Sequence, residues 1–236
     1  MQPFKNISFK NITLALFVAA FALSLTSCMK DEDAPDPVSV AYVSFFHATP
    51  DASELDILVE NNRITSQPFK YTNYSGFLNF YTGNRQLRFN PYNAANALLD
   101  TTFNFQNSKA YSLFLINEAN KLKTLVVEDN VDLPPTGKSL IRLIHLSPDA
   151  PEVDLHIDNS SSLLFSEHSF KEASAFKEVN PGTRSLQLKN AGGADMLINL
   201  PEVDIQPNKR YTVVIRGFVT PPAGNTNGLS LQLINN

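Results

Sequence analysis

The chain has 236 residues, 43% hydrophobic and 18% charged, a balance that supplies a real core and excludes wholesale disorder or a collagen-like assembly. Its formal charge is −4, and its basic residues, apart from the adjacent Lys209 and Arg210, are scattered rather than gathered in a stripe that could follow a phosphate backbone, which argues against nucleic acid as a partner. The one cysteine, Cys28, excludes a disulfide framework and any Cys-based zinc or redox site in the region that follows it.

Residues 1–27 read as a signal peptide: Lys5 and Lys10 form a basic start, Ile12 to Leu25 is apolar, and the segment closes on Leu25-Thr26-Ser27-Cys28. An apolar run of that length spans about 21 Å as a helix, short of the roughly 30 Å hydrocarbon core, so cleavage is favoured over spanning. The last four residues resemble the bacterial lipobox. The resemblance implies that Cys28 is lipidated and holds the protein on a membrane through acyl chains, each buried CH₂ contributing about 0.8 kcal/mol. An ordinary signal followed by a lone cysteine is the alternative.

Residues 28–37 are charged and proline-bearing without periodicity, and read as a flexible tether after the lipidated cysteine. Lys30-Asp31-Glu32-Asp33 resembles the export signal of Bacteroidetes surface lipoproteins, which implies an outer membrane lipoprotein on the cell surface. The periplasmic face, with this stretch a plain acidic linker, is the alternative.

Beyond the tether the chain repeats itself. His47-Ala-Thr-Pro50-Asp51-Ala-Ser-Glu-Leu-Asp56 returns as His145-Leu-Ser-Pro148-Asp149-Ala-Pro-Glu-Val-Asp154. Gly83, Arg85 and Leu87 return as Gly182, Arg184 and Leu186, and Lys109-Ala-Tyr111 as Lys209-Arg-Tyr211. Duplication accounts for the kept order. Residues 131–138, with Pro134-Pro135 and Gly137, cannot continue a strand and form the linker between repeat 1 (38–130) and repeat 2 (139–236).

Each repeat carries short runs of period-two alternation, such as Leu55, Ile57 and Val59 or Tyr211, Val213 and Ile215, which read as half-buried strands between turns. Ala94 to Leu99 reads as a helical turn. Seven or so strands per repeat predict an all-β protein of two tandem immunoglobulin-like antiparallel β-sandwich domains after a lipoprotein signal peptide. The His-x-Ser/Thr-Pro-Asp-Ala-x-x-x-Asp opening and its duplication behind such a leader resemble the family catalogued as domain of unknown function 4397. That resemblance implies secreted or cell-surface sandwiches, often in tandem, and no established activity; Ser53, where repeat 2 has Pro151, departs from the pattern.

The repeated turn residues His47, Pro50, Asp51, Asp56, His145, Pro148, Asp149 and Asp154 are the first candidate site. Imidazole and carboxylates could ligate a metal if three or four converged. The structural alternative is a proline-fixed turn whose carboxylate accepts backbone N–H groups, and it is favoured, with no metal and no cofactor expected. Glu152 with Asp154, and Glu202 with Asp204, share strand faces as a glycosidase pair could. No nucleophile elbow or zincin helix is present, and no Ser-x-x-Lys comes with its companion motifs.

The second candidate is aromatic. Repeat 1 holds 15 of the 20 Phe and Tyr residues beyond the leader, several crowded between Tyr71 and Tyr81. If Tyr71, Tyr74, Phe77, Tyr81 and Tyr92 share a surface, their amphipathic rings suit a glycan or an extended peptide; core packing is the competing reading. The expectation is therefore a non-enzymatic cell-envelope lipoprotein, a surface-exposed binding or adhesion module for a glycan, peptide or envelope protein partner. A structural spacer is the first alternative and a metal-dependent hydrolase of envelope polymers the second.

Overall fold

Eight strands make up the first half of the computed structural model, which describes residues 38–129, 133–158 and 162–236. The expected signal peptide, Cys28 and the tether, the last residue of repeat 1 and residues 131–132 of the linker lie outside the described residues. In chain order the strands are β1 (Val40–His47), β2 (Leu55–Val59), β3 (Asn62–Arg63), β4 (Tyr74–Tyr81), β5 (Gly83–Pro91), β6 (Leu99–Phe105), β7 (Ala110–Ile116) and β8 (Lys123–Glu128). One sheet has the order β4-β1-β7-β8 and the other β3-β2-β5-β6. Between them lies a core built from the alternate residues Val43, Phe45, Leu55, Ile57, Leu87, Phe89, Leu113 and Leu115, all fully buried.

The second half repeats this order with β9 (Ser139–His145), β10 (Val153–Ile157), β11 (Ser162–His168), β12 (Lys177–Val179), β13 (Gly182–Asn190), β14 (Met196–Ile205), β15 (Arg210–Arg216) and β16 (Ser230–Asn235). Its sheets are β12-β9-β15-β16 and β11-β10-β13-β14, the same topology strand for strand. The sequence echoes acquire physical reasons here. Gly83 and Gly182 open β5 and β13 at φ of 88° and 121°, a region closed to most side chains. Arg85 and Arg184 then bond back to the carbonyls of residues 81 and 82, and 180 and 181. The Tyr111 and Tyr211 hydroxyls accept from the backbone N–H of Gln106 and Gln206, the tyrosine corner of sandwich folds.

Three expectations need correction. The sandwiches are not antiparallel throughout: β1 pairs parallel with β7, and β9 with β15. A parallel pair needs a long crossover, and the strands of the opposite sheet provide it. Ala94 to Leu99 is not a helical turn; it is a loop up to Leu99, which starts β6, and Asn90 holds it by donating to the carbonyls of Ala94 and Ala95.

The third correction concerns burial. β7 is buried at every position, and β9 and β15 nearly so, rather than half-buried. The reason is that the β4-β1-β7-β8 sheet stacks its outer face on the outer face of β12-β9-β15-β16, so four sheets lie in layers within the one compact unit Val38–Asn236. Phe46, Phe114, Ile116, Ile144, Val214 and Ile234 form the apolar part of this seam. A strand covered on both faces reads as a near-continuous apolar run, and Leu140-Ile-Arg-Leu-Ile-His-Leu146 is one, interrupted by Arg142 and His145.

The polar end of the seam is a buried ion pair. Arg142 of β9, with a side chain 3% exposed, contacts Asp129, which follows β8. Asp129 also accepts from the Ser112 hydroxyl, itself bonded to Ser44, while Arg142 donates to Thr212 and lies over the Phe176 ring. Further bonds tie the sandwiches together: Asn225 and Asn227 both donate to the Pro50 carbonyl, and Gln232 to that of Thr72.

Candidate functional site

Each repeated turn residue is held by local structure. His47 is fully buried where β1 ends; its Nδ1 accepts from the Thr49 N–H, and its ring stacks near Phe69 with Tyr71 edge-on. Burial pulls its pKa down to about 4, opposed by the Ser53 carbonyl, so the ring is neutral at ordinary pH. His145 occupies the same place in the second sandwich, with Nε2 against the Pro151 carbonyl at 3.1 Å and its pKa lowered chiefly by burial.

Pro50 and Pro148 set the turn, and the aspartates behind them hold the loop that follows the parallel strand. Asp51 accepts from the Ala119 N–H, and Asp149 from those of Val219 and Thr220 at 2.8 and 2.9 Å. Asp56 and Asp154, deeper in β2 and β10, secure a different loop, accepting from the N–H groups of Asn93 and Gly192. Asp56 is further paired with Arg63 at 2.8 Å, and Asp154 with the Glu167 N–H. Such charge-assisted bonds to backbone are what a carboxylate at a corner provides. Among the described residues no three His, Asp or Glu side chains converge as metal donors. Glu152 accepts from the Ser169 hydroxyl while Asp154 faces backbone, so this pair presents no joint acid–base geometry.

The aromatic candidates divide. Tyr71 and Tyr74 belong to the seam: the Arg216 guanidinium lies 5.3 Å from the Tyr71 ring centroid, and Tyr74 packs against the seam's apolar cluster. Burial raises both phenol pKa values, for Tyr71 against the neighbouring Arg216 and for Tyr74 against its bond to Ser44. Phe77 is half-buried in β4. Tyr81 is 68% exposed at the Gly83 end of the sandwich, with Arg85 over its ring, whereas Tyr92 follows β5 at the opposite end, beneath Arg63. The expected single platform does not form, because alternate residues of a strand point to opposite faces and the seam takes one face of β4.

What the first sandwich does present is a trough along its open side, between the short β3 and the edge strand β4. One recess of about 250 Å³ is lined by Tyr81, Arg85, Asn79, Asn62 and Ile64. A second, of about 360 Å³, is lined by Phe45, Thr65, Phe69, Leu78 and again Ile64, which joins the two. The corresponding end of the second sandwich has a recess of about 280 Å³ whose walls carry two ion pairs, Lys138–Glu178 and Arg184–Asp158, against the single Arg85–Glu60 pair in the first. Sequence reading missed the trough and the Asp129–Arg142 pair. A lone arginine inside an apolar run was the available signal for the pair.

No curated protein matches the chain. Among solved structures, a family 26 carbohydrate-binding module from Eubacterium rectale Amy13K, solved with maltoheptaose, is similar at a TM-score of 0.25 and 10% identity, over 83% of this chain and 97% of that one. A protein from Bacteroides eggerthii described as a candidate cell adhesion protein gives 0.24 and 11%, over 84% and 95% of the two chains. One so described from Bacteroides fragilis gives 0.22 and 12%, over 79% and 84%. Likenesses this low bear on no functional assignment. Residues 41–156, from β1 through the second turn motif into β10, match the family described as "Domain of unknown function (DUF4397)".

Proposed function

We propose that the protein is a non-enzymatic lipoprotein of the cell envelope, anchored at the outer membrane through Cys28 and displayed on the cell surface, whose first sandwich binds a glycan, peptide or protein partner in the trough between β3 and β4. The observation that carries this reading is an asymmetry between two halves of one topology. The polar residues they share are taken up by backbone and ion pairs, whereas among the described residues the first half has an open, largely apolar trough with an exposed tyrosine and the second has a more polar recess in the matching place. A mostly apolar concavity with a few placed polar groups is the usual form of a ligand site. The spacer reading draws on the seam, which joins the sandwiches without leaving a hinge between their inner sheets.

The test is binding of the purified protein and its Tyr81→Ala variant to glycan and matrix-polypeptide arrays. Binding that the variant weakens supports the proposal; none at high micromolar concentration refutes it and favours the spacer. Loss of lipid labelling in Cys28→Ser, and protease access to the domains on intact cells, test the anchor and the exposed face.

A further inference from the structure

The second sandwich contains the group that the first lacks in its trough. Phe165 of β11 pairs with Leu155, and its ring is buried, 3% exposed, in the second core. The Lys177 ammonium lies 5.1 Å from that ring centroid, and His168 meets the ring at 5.8 Å. Pairing registers give the counterparts in the first sandwich. Lys177 faces Ile141 as Leu78 faces Val43, and His168 faces Val153 as Phe69 faces Leu55. The place of Phe165, opposite Leu155, falls in the first sandwich to the step Ile64–Thr65 opposite Ile57: the Ile64 N–H bonds the Ile57 carbonyl, and the Thr65 hydroxyl accepts from the Ile57 N–H. Phe69, Leu78 and Thr65 all line the recess of about 360 Å³.

One half of the molecule therefore fills this place with a phenyl ring of its own, and the other leaves it open to the surface behind a threonine. An apolar cavity of roughly 150 Å³ already takes up benzene, so the recess has room for a benzyl group and its attachment. From this we infer that the recess is a binding pocket for an aromatic side chain of a polypeptide partner, presented by an extended segment as β11 presents Phe165. The inference rests on the binding role proposed above and narrows its ligand to polypeptide. Ile64 carries the pocket into the Tyr81 recess, so residues flanking the aromatic anchor have a continuous surface to follow. Edge-strand and groove recognition of extended peptides works in this way, with a pocketed side chain giving specificity.

The probe is a blocked heptapeptide with the sequence of residues 162–168, Ser-Leu-Leu-Phe-Ser-Glu-His, beside the same peptide with Phe165→Ala. Binding is read by amide chemical shifts on the full chain. The expected result is saturable binding with shifts at Thr65, Phe69 and Leu78, about tenfold or more weaker for the alanine peptide, as loss of a buried ring implies. A Thr65→Phe protein, which supplies its own ring, should lose the binding. Equal affinity for both peptides, shifts confined to the second sandwich, or retained affinity in a folded Thr65→Phe variant would each overturn the assignment. If that variant does not fold, the two-peptide comparison on the unaltered protein still decides. Absence of peptide binding alongside persistent array binding removes this pocket and leaves the broader binding role standing.

Discussion

Replacing Arg142 with methionine tests whether the seam makes one body of the two sandwiches. The change keeps most of the apolar stem but removes the one cation that, among the described residues, contacts Asp129, whose side chain is 2% exposed and keeps the Ser112 hydroxyl as a donor. A buried carboxylate stripped of its partner costs about 3–5 kcal/mol, whereas replacing both charges with apolar groups of similar volume is close to neutral. Thr212 also loses its bond from Arg142, adding about 1 kcal/mol. The expectation is thus a loss of about 4 kcal/mol for Arg142→Met, most of it recovered in the double variant Arg142→Met/Asp129→Leu. Because the pair and the surrounding apolar cluster span both halves, urea unfolding followed by circular dichroism and tyrosine fluorescence should give one transition that moves as a whole. Two separable transitions of which one shifts, or a cost below about 1 kcal/mol, would refute the coupling.

The histidines make stability pH-dependent. His47 titrates near 4 in the folded chain against an ordinary value of 6.5, so the unfolded chain binds the proton more tightly. Its contribution is full above pH 6.5 and is lost as pH falls toward 4, amounting to roughly 3 kcal/mol, with His145 acting in the same direction; His47→Asn should flatten that part of a stability–pH profile. Gly217 has φ of 84°, and a Cβ there would stand 2.1 Å from the Gly228 carbonyl oxygen, so Gly217→Ala should lower stability by about 3 kcal/mol or more in thermal unfolding. Tyr211→Phe removes the acceptor for the Gln206 N–H and should cost about 1 kcal/mol by the same measurement, with the fold retained.

The duplicated residues were the most legible part of this chain because each answers a local demand. A positive φ requires Gly83 and Gly182, and a corner requires Tyr111 and Tyr211. The aspartates of the turns meet loops that differ in sequence but present N–H groups in the same place. Stacking of the inner sheets was harder to read. Alternation in Tyr211, Val213 and Ile215 looks the same whether Thr212 and Val214 face water or another sheet, and only the mostly apolar runs of β7 and β9, interrupted at Ser112 and Arg142, distinguish the cases. Tyr71 and Tyr74 were grouped with Tyr81 and Tyr92 for the same reason, since proximity in sequence does not say which face of a strand the second sandwich will cover. The trough depended on a comparison between halves, the step Ile64–Thr65 against Phe165, in a stretch where the registers slip by a residue and direct alignment fails.

The placement of β1 has a mechanical consequence. It is an interior strand, laddered to β4 along one edge and to β7 along the other. A pull on the chain ahead of Val38, directed along the strand, loads both ladders in shear, across the perpendicular bonds to β4 and the slanted bonds to β7, so the bonds must yield together rather than peel one after another. The same holds for β9, between β12 and β15, when tension arrives through residues 133–138. Each half thus meets force at its entrance with its most resistant geometry.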